Sequence, residues 1–595
     1  MKILLLTQSF NSLAQRLHVE LTECGHEVSV EFDIADSVTE EACALFRPDL
    51  VIAPFMKRAI PESVWRRHVC LVVHPGIVGD RGPSALDWAI LNGETEWGVT
   101  VLQANAEMDG GDIWASEIFP MRAARKSSLY RNEVTEAAAR CVLAAVERFE
   151  RGGFKPEPLD YASPGVRGQA RPLMRQEQRR IDWKRDDTAT VLRKIRASDS
   201  FPGVLDEVRG VACHLYNAFP ESCGSELARE TIASEVAPTR RLVPGEIIGR
   251  RDGAILRTTT DGAVWITHLK PAGENPAFKL PACMVLGDRV NDVPEIPLSP
   301  SQPAAGSTWR EIWYEEEGNV GYLHFEVHNG ALSTSQCLRL RNAYLEATRR
   351  PVKVIVLMGG TDFWCNGIHL NLIESASSPA DESWANINAM DDLCLALLEN
   401  TRQLTLAAMQ GNAGAGGVFL ALAADRVLAR EGVILNPHYK GMGNLYGSEY
   451  WTYLLPQRAG VERARAITEN RLPIGARRAR ELGLLDECFG ASIEAFRAGV
   501  RERAQRLAAG EADALLAAKR ERRARDEAEK PLTAWRAEEL EHMKLNFYGF
   551  DPSYHVARYH FVHRVPHAWT PLHLARHRRN QWAGRQALAG GEAAA

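Results

Sequence analysis

The sequence predicts an α/β protein of several domains: an open, mostly parallel α/β sheet, a small β-rich middle domain, and a third domain that again mixes strands with helices. Its 595 residues suffice for roughly three to five domains. Short apolar runs alternate with helical patterns in the first part of the chain, which is typical of a parallel sheet. The stretch VPEIPLSPSQPAAGST, rich in Pro, Ser and Ala, indicates a linker before the third domain.

The first domain is predicted over residues 1–165. Four apolar runs in this part read as strands, and helical patterns separate them: KILLL, EVSVEFD, PDLVIAPF and CLVVH. No G-x-G-x-x-G pattern follows the first run, so we expect no dinucleotide site there. The alternation predicts an open sheet whose strands are largely parallel.

Two further domains and a linker are predicted for the rest of the chain. Residues 166–298 contain GVACHLYNAF and GEIIGRRDGAILRTTTDGAVWITHLK, which read as short strands joined by Asp-Gly turns. The linker is placed at residues 299–308, and the last domain, residues 309–595, combines strands such as VKVIVLMGG with long helices. The final residues, ALAGGEAAA, are expected to be disordered.

Composition and charge limit the class of protein. The apolar fraction is 45% and the charged fraction 25%, as in ordinary soluble proteins, and the net charge of −5 argues against a nucleic-acid partner. No apolar run approaches the length of a membrane span, so we expect no membrane partner. The 11 cysteines form neither a Cys-x-x-Cys pair nor a ladder with histidines. We therefore expect a cytoplasmic protein with no structural metal.

A histidine ends the fourth apolar run and leads into a Gly-rich loop. The stretch LVVHPGIVGDRGPSA places His74 before a loop that contains Arg81 and Gly82. Asp109 follows later, in EMDGGDIWA. Taken alone, a histidine beside a turn is more often structural than catalytic, so its interpretation depends on the surrounding motifs.

The order of these motifs resembles the formyltransferase family that uses 10-formyl-tetrahydrofolate. The resemblance covers residues 1–165 and continues into IDWKRDDTATVLRKIRASDSFPG, which looks like the start of that family's C-terminal domain. It implies formyl transfer at His74 and Asp109, where a histidine held by a carboxylate shuttles a proton and offers an N–H to the oxyanion. The Gly-rich loop lets the backbone approach the pterin closely, so Arg81 and Gly82 are candidate cofactor-binding residues.

One position departs from the formyltransferase pattern. The family has Asn two residues before the histidine, and this chain has Val72. Loss of a donor that binds the oxyanion raises the activation free energy by about 3 kcal/mol. A thiol acceptor needs less help, because a thiolate is a strong nucleophile and a free thiol has a pKa of about 8.5. The substitution therefore favours coenzyme A over an amine as the formyl acceptor.

The last part of the chain resembles the enoyl-CoA hydratase/isomerase (crotonase) family, from about Trp309 to Leu574. The motifs that carry the resemblance are EGNVGYLHFEVHNGALSTSQCLRLRNAYLEA, VKVIVLMGGTDFWCNGIHLNLIE and LAAMQGNAGAGGVFLALAADRVLARE. It implies a crotonase fold. It also implies that the backbone N–H groups of Ile368, in CNGIH, and Gly416, in AGAGGVF, form an oxyanion hole for a thioester carbonyl.

The two glutamates of a hydratase are absent from this crotonase-like part. Phe419 stands at the position of one of these glutamates, and His438 stands at about the position of the other. We therefore do not expect hydratase activity. In their place ILNPHYKGMGNLYGSEYWTYLLP carries Tyr439 and Glu449, with Tyr446 nearby. Any one of these aromatic residues is more often part of a core. Together they form a polar cluster where the family places its acid–base chemistry.

A folate-dependent formyltransferase joined to a CoA-thioester domain suggests formyl-CoA as a shared intermediate. The full length, including FNSLAQRL, NPHYKGMGNLYGSEYW and NFYGFDPSYHVARYHFV, resembles a family of hydrogenase maturation factors. This resemblance implies a supply of carbon monoxide to the [NiFe]-hydrogenase active site and partners among hydrogenase maturation proteins. The implied reaction passes the formyl group from 10-formyl-tetrahydrofolate to coenzyme A and then decarbonylates formyl-CoA.

Roles in the second step follow from the same resemblance. Glu449 is assigned as proton acceptor and Tyr439 as proton donor, and the reverse stays open because burial can raise a carboxyl pKa. Phe419 would exclude water from a hydrolysable thioester. Arg131, in SSLYRNEV, and Arg558, in the tail, are candidate ligands for the phosphates of coenzyme A, since Arg binds phosphate through two parallel hydrogen bonds.

Two other functions remain open at this point. One is formyl transfer to an amine, with a crotonase-like domain that hydrolyses or isomerises another acyl-CoA; Val72 and Phe419 weigh against it. The other is a non-catalytic scaffold that binds folate and coenzyme A. The presence of both His74 and Asp109 weighs against the scaffold, because binding alone does not need this pair.

Overall fold

The computed structural model describes residues 1–221, 243–273, 277–304 and 306–579. The tail ALAGGEAAA, which the sequence predicts to be disordered, lies outside the described residues. The chain separates into two compact units. Unit 1 comprises Met1–Arg180, Arg193–Val204 and the described residues from Pro566 onward, and unit 2 comprises Ile181–Leu192 and Leu205–Val565.

Unit 1 is built on a six-stranded sheet with the strand order β2-β1-β3-β4-β5-β6. Its strands are β1 Lys2–Thr7, β2 Glu27–Phe32, β3 Leu50–Phe55, β4 Cys70–His74, β5 Glu96–Gln103 and β6 Ile113–Pro120. The first four strands pair in parallel, and β5 and β6 add two antiparallel pairings. The predicted open and mostly parallel sheet is confirmed.

Helices flank this sheet, and the first shows why the sequence forms them. The Asn11 side chain caps α1 by accepting the N–H of Ala14 at 3.0 Å, and Leu13, Leu17 and Leu21 recur every four residues on its buried face. A π-helix, Tyr130–Val134, lies between α5 and α6. The helices are α1 Ser12–Glu23, α2 Asp36–Phe46, α3 Glu62–Trp65, α4 Ala85–Asn92, α5 Lys126–Leu129, α6 Thr135–Arg151, α7 Gln176–Arg179 and α8 Thr188–Ser198.

A late segment of the chain packs on the edge strand β2 of unit 1. The Val30 N–H donates to the Leu574 carbonyl at 3.0 Å, and the Phe32 N–H donates to the Thr570 hydroxyl at 2.8 Å. His577 Nε2 lies 2.9 Å from the buried carboxylate of Glu31. The sequence assigned residues 309–595 to one domain, and that boundary stays a prediction; in the structure the described residues after Val565 belong to unit 1.

Unit 2 begins with the middle sheet, whose order is β7-β8-β11-β10-β9, with β12 paired to β11. Its strands are β7 Val204–Val208, β8 Val211–Glu221, β9 Ile247–Arg251, β10 Ala254–Thr258, β11 Ala263–Pro271 and β12 Leu280–Pro281. Buried Trp265 packs 6.0 Å from Trp309, and Arg251 lies over the Trp265 ring and donates to the Trp309 carbonyl at 2.7 Å. The predicted β-rich middle domain is confirmed.

The rest of unit 2 contains two more sheets. A six-stranded sheet has the order β13-β14-β15-β17-β19-β22, and a four-stranded sheet has the order β16-β18-β20-β21. The strands are β13 Ile312–Glu317, β14 Val320–Phe325, β15 Val354–Leu357, β16 Phe363–Cys365, β17 Leu404–Met409, β18 Asn412–Gly414, β19 Arg426–Arg430, β20 Ile434–Asn436, β21 Ile474–Gly475 and β22 Glu487–Phe489.

Long helices cover these two sheets. The longest, α12, begins where Ser378 accepts the Asp381 N–H at 3.4 Å and Pro379 occupies the first turn. The helices are α9 Ala282–Leu286, α10 Thr334–Ala347, α11 Leu370–Ser375, α12 Pro379–Glu399, α13 Gly416–Leu422, α14 Trp451–Ala459, α15 Val461–Asn470, α16 Ala476–Glu481, α17 Ile493–Ala509, α18 Ala512–Glu529, α19 Leu532–Tyr548 and α20 Ser553–His563. Among the described residues, every helix is too short or too polar to cross a bilayer.

Candidate functional sites

The first candidate site surrounds His74, the last residue of β4. Its ring is buried and lies between two carboxylates. Nε2 is 3.2 Å from Asp80 Oδ1, and Nδ1 is 3.5 Å from Asp109 Oδ2. The structure therefore brings the predicted pair His74 and Asp109 together and adds Asp80 on the other side of the imidazole.

Asp80 was not identified from the sequence, and neither was its partner Arg171. Arg171 Nε donates to Asp80 Oδ2 at 2.9 Å, and Asp80 is 1% exposed. The signal for Asp80 was present, because an aspartate in the Gly-rich loop GIVGDRG directly follows the histidine strand. Arg171 had no local signal, since it comes from a distant part of the chain.

Arg81 and Gly82 join the histidine loop to the loop of Asp109. The Gly82 N–H donates to Asp109 Oδ2 at 3.2 Å. Gly82 has a φ of +114°, and a Cβ there would lie 2.2 Å from the Arg171 carbonyl, so only glycine fits. Arg81 Nε donates to the Met108 carbonyl at 3.1 Å. The two loops thus form one structure around His74.

Val72 and Arg131 lie at different places around the same sheet. Val72 is half-buried and, two residues before His74, projects from the same face of β4 without a hydrogen-bonding group. Arg131 lies in the π-helix next to Tyr130, whose ring is 6.2 Å from that of Phe55 at the end of β3. Arg131 therefore sits near the carboxyl edge of the sheet, where the strand order reverses and α/β proteins commonly bind ligands.

The second candidate site contains the predicted backbone donors. Gly416 is the first residue of α13, where N–H groups have no partner inside the helix. Gly367, which precedes Ile368, has a φ of +79°, and a Cβ built on it would lie 3.4 Å from the Gly416 nitrogen. The structure therefore brings the segments of Ile368 and Gly416 side by side.

Tyr439 and Glu449 form a buried hydrogen-bonded pair beside Gly416. The Tyr439 hydroxyl lies 2.5 Å from Glu449 Oε2 and 3.0 Å from the Ser448 carbonyl. A Cβ on Gly416 would lie 2.0 Å from Glu449 Oε1, so this carboxyl group rests directly on the Gly416 backbone. The predicted acid–base pair and one of the predicted oxyanion donors thus share one place in the fold.

Burial governs the protonation of this pair. Desolvation, followed by the nearby charge of Asp391, raises the pKa of Glu449 to about 8. Desolvation, followed by the charge of Glu449, raises the pKa of Tyr439 well above its ordinary value. At neutral pH Glu449 is therefore mostly a neutral carboxylic acid.

An apolar wall stands where hydratases carry a glutamate. Phe419 is fully buried and stacks on Tyr439, with ring centroids 5.5 Å apart and an interplanar angle of 16°. Trp451 packs 6.4 Å from Phe419. Tyr446 stacks instead on His542 at 4.1 Å, and His438 is half-buried just after β20. The direct aromatic neighbours of the acid–base pair are thus apolar faces.

Two further carboxyl groups near this pair were missed by the sequence reasoning. Asp391 of α12 accepts the Glu449 N–H at 2.8 Å, and Glu539 of α19 accepts the Tyr450 N–H at 2.9 Å. Asp391 had a signal, because it interrupts the apolar stripe of α12 between Ile387 and Cys394. Within the described ranges, no group of three or more His, Cys, Asp and Glu side chains is arranged to hold a metal ion.

Arg558 lies on α20 and is already paired in the structure. Its guanidinium is nearly buried, with Nε 2.7 Å from Glu374 Oε2 and Nη1 2.8 Å from His555 Nδ1. A phosphate at this position would compete with Glu374 for the guanidinium. The role of Arg558 as a coenzyme A ligand stays a prediction.

Three family models match successive parts of the chain. Residues 11–146 match the formyl transferase family, and residues 173–278 match the formyl transferase C-terminal domain. Residues 315–569 match the enoyl-CoA hydratase/isomerase family. These matches confirm the predicted fold class, including the crotonase fold of the carboxyl-terminal part.

Proteins similar over nearly the full length are also known. The hydrogenase maturation factor HoxX of Bradyrhizobium diazoefficiens is 52% identical over 98% of this chain and 99% of its own. The crystal structure of HypX from Aquifex aeolicus in complex with tetrahydrofolic acid is 51% identical, covers 97% of this chain and 99% of its own, and has a TM-score of 0.91. A methionyl-tRNA formyltransferase of Roseiflexus sp. is 28% identical over 41% of this chain and 70% of its own.

Proposed function

Because the chain belongs to the HypX/HoxX family of hydrogenase maturation factors, we propose that it is an enzyme that makes carbon monoxide in two steps. The first step transfers a formyl group from 10-formyl-tetrahydrofolate to coenzyme A. The second decarbonylates formyl-CoA and supplies the CO ligand of the [NiFe]-hydrogenase active site. The observation that carries this proposal is the buried Glu449 carboxyl group, paired with Tyr439 and resting on Gly416.

The His74 site is suited to the first step. The thiol sulfur attacks the formyl carbon, the carbon–nitrogen bond breaks, and the thiol proton passes to the departing nitrogen. His74, held between Asp80 and Asp109, carries this proton. The tetrahydrofolic acid bound in the Aquifex aeolicus HypX crystal supports folate as the donor.

The Glu449 site is suited to the second step. The N–H groups of Ile368 and Gly416 hold the thioester carbonyl oxygen. Glu449, neutral at the start, protonates sulfur as the carbon–sulfur bond breaks, and its carboxylate then takes the formyl proton. Carbon monoxide and the free thiol leave, and Glu449 is neutral again. Tyr439 donates a hydrogen bond that stabilises the intervening carboxylate.

An apolar surrounding protects the intermediate in this proposal. Formyl-CoA is lost to hydrolysis if water reaches it beside an acid–base group. Phe419 stacks on Tyr439 and replaces the glutamate that activates water in hydratases. We further propose that the protein works in the cytoplasm with hydrogenase maturation proteins, as its family membership suggests.

The proposal is tested with purified protein, coenzyme A and 10-formyl-tetrahydrofolate labelled with ¹³C in the formyl group. Carbon monoxide is trapped with reduced haemoglobin, and formyl-CoA is measured by mass spectrometry. We expect labelled CO from the wild type, no formyl-CoA from His74→Ala, and formyl-CoA without CO from Tyr439→Phe and Glu449→Gln. Tyr446→Phe is the matched control, because its ring packs on His542 instead of Glu449.

Three results would contradict the proposal. Undiminished CO release by Glu449→Gln would remove the proposed role of this carboxyl group. Hydrolysis of other acyl-CoA thioesters, with formyl transfer only to an amine, would favour the alternative enzyme. Maturation of a hydrogenase by His74→Ala at the wild-type level would favour a non-catalytic scaffold.

A further inference from the structure

The segment Ser448–Thr452, here called the Glu449 loop, is held by carboxyl groups from two helices. Asp391 Oδ1, on α12, accepts the N–H of Glu449 at 2.8 Å. Glu539, on α19, accepts the N–H groups of Tyr450 at 2.9 Å and of Thr452 at 2.8 Å. Both carboxyl groups are almost fully buried, at 0% and 1% exposure. The backbone of the loop is therefore fixed by acidic side chains from two different helices.

One hydroxyl group lies between these two carboxyl groups. Ser448 Oγ is 2.9 Å from Asp391 Oδ2 and 3.2 Å from Glu539 Oε2. A hydroxyl has a single proton, so Ser448 donates a hydrogen bond to one of the two carboxyl groups at a time. The arrangement thus joins α12, α19 and the Glu449 loop in one buried hydrogen-bond network.

The backbone of the loop needs this support. Glu449 and Tyr450 have φ values of +62° and +60°, a left-handed conformation that residues with side chains rarely adopt. Two successive residues in this conformation turn the Glu449 carboxyl group towards Gly416 and Tyr439. Without acceptors for the loop N–H groups, this strained turn would relax and the carboxyl group would move.

We propose that Asp391 and Glu539 are positioning residues that clamp the Glu449 loop, and that the negative charge of Asp391 keeps the Glu449 carboxyl group protonated for delivery of its proton to sulfur. This inference rests on the proposed function of Glu449 as the proton donor of the second step. Neither residue touches the reacting atoms in this scheme, and both act through Glu449.

The electrostatics of the three carboxyl groups support this division of roles. Burial raises the pKa of Asp391 to about 7, of Glu539 to about 8 and of Glu449 to about 8. The guanidinium of Arg536, 3.6 Å from Asp391 Oδ2, opposes the rise for Asp391 alone. Asp391 therefore ionises first, and its charge raises the pKa of Glu449.

Other titratable groups around Glu449 are neutral or face away from the loop. Tyr439 and Tyr450 have pKa values raised by burial, as do the thiols of three cysteines that face Glu449: Cys337, Cys365 and Cys394. Asp392 pairs with Arg536 at 2.6 Å and contacts no residue of the loop. At neutral pH the charge that acts on Glu449 is thus that of Asp391, moderated by Arg536, and Glu539 adds its own charge only as the pH approaches 8.

The test measures the protonation of Glu449 directly in the full-length protein. The infrared C=O band of its neutral carboxyl group is identified by its loss in Glu449→Gln and followed against pH. We expect a wild-type midpoint near pH 8, as the raised pKa indicates. Asp391→Asn and Glu539→Gln each keep one acceptor oxygen and remove a charge. We expect Asp391→Asn to lower the midpoint by about one pH unit and Glu539→Gln, which removes a group that titrates together with Glu449, to lower it by less.

Neighbouring residues on the same two helices provide matched controls. Glu538→Gln removes one charge beside Glu539, and we expect the wild-type midpoint. Asp392→Asn leaves the Asp391 charge in place but frees part of the shared Arg536 guanidinium, so we expect a smaller change than in Asp391→Asn. An unchanged Glu449 midpoint in Asp391→Asn and Glu539→Gln overturns the inference. If one variant fails to fold, as judged by thermal unfolding, the other carries the test, because the two residues lie on different helices.

A second readout separates this inference from the proposed function. If Glu449 supplies the proton for CO release, the alkaline limb of the CO release rate moves with the infrared midpoint while formyl-CoA synthesis stays constant. A shifted midpoint with no CO release from the wild type keeps the positioning role and refutes the proposed reaction. A midpoint that stays constant in the variants, together with normal CO release, refutes the positioning role and leaves the proposed reaction standing.

Discussion

His74 illustrates how much a single residue depends on partners that come from other parts of the chain. Its imidazole lies between Asp80 and Asp109, and Arg171 fixes Asp80 in turn. A carboxylate on each side orients the ring. The function of the His74 side chain therefore depends on the two carboxylates beside its ring and on Arg171.

Replacement of Asp80 tests this view of the first site. Asp80→Asn keeps the size of the side chain and removes the charge that faces His74 Nε2 and Arg171. We expect formyl-CoA synthesis to fall by roughly 10²–10⁴-fold, the usual contribution of an acid–base group. Asp112→Asn, an exposed aspartate just beyond the Asp109 loop, is the control. Equal rates for both variants would exclude an orienting role for Asp80.

The residues in short sequence motifs could be predicted from the sequence. The residues that contact them in the fold could not. His74, Asp109, Tyr439 and Glu449 were predicted from the resemblance of their motifs to known families, and the structure brings each pair together. The partner of Glu449, Asp391, comes from a helix far away in sequence, so only the tertiary fold shows the contact. The functional roles of all these residues remain predictions.

At the scale of elements, the second site is a junction of α12, α13, α19 and the Glu449 loop. The helix α13 starts against the Glu449 carboxyl group, and α12 and α19 each place an acidic residue under the loop. Helices normally keep carboxylates off their buried faces. The sequence predicted long helices in this part of the chain without placing them one by one, and in α12 the acidic interruption of the apolar stripe marks the place where the helix supports the site.

Gly416 provides a test of the packing at this junction. A methyl group on Gly416 would lie 2.0 Å from Glu449 Oε1 and must displace the carboxyl group. We expect Gly416→Ala to lower CO release by about 10²-fold, as when an oxyanion donor is lost, with formyl-CoA synthesis intact. Gly441→Ala is the matched control, because the nearest atom to its Cβ would be 4.0 Å away. Similar CO release by both variants would contradict this placement of Glu449.

The same junction predicts how the stability of unit 2 depends on pH. Asp391, Glu449 and Glu539 have folded-state pKa values of about 7, 8 and 8, above those of an unfolded chain. Their stabilising contribution is therefore complete below about pH 4 and is lost as the pH rises through 7 and 8, by up to about 1.4 kcal/mol per pH unit for each group.

Urea unfolding of the wild type and of Glu539→Gln between pH 5.5 and 8.5 checks this slope. We expect the free energy of unfolding of the wild type to decrease with pH and that of Glu539→Gln to decrease less. Glu538→Gln, with a paired and largely exposed carboxylate, should follow the wild type. A wild-type stability that rises over this range would show that the three groups are ionised in the folded state.

At the scale of the whole molecule, the chain returns to its first sheet after building unit 2. Residues from Thr570 to Arg578 cover the edge of β2 and surround the buried Glu31 carboxylate. Burial alone would raise the pKa of Glu31, but hydrogen bonds from His577, Thr570 and Arg578 outweigh it and lower the pKa. No local pattern predicts this pairing, because the partners lie at opposite ends of the sequence.

Replacement of His577 tests the contribution of this return segment. His577→Ala leaves Ser29 and Glu31 with one partner fewer each, in a place that is fully buried. We expect a loss of about 1–3 kcal/mol in the stability of unit 1. Arg579→Ala, an exposed neighbour, is the control. Equal unfolding midpoints of the two variants would show that the segment adds nothing to the stability of unit 1.

The covered edge of β2 has a consequence for synthesis of the protein on the ribosome. The strands of unit 1 emerge first, whereas Thr570 and Leu574, which occupy the hydrogen-bonding edge of β2, are translated more than 500 residues later. Throughout elongation the nascent chain therefore exposes a strand edge that can pair with another polypeptide. Chaperones that shield such edges would determine how much of the protein reaches its native state.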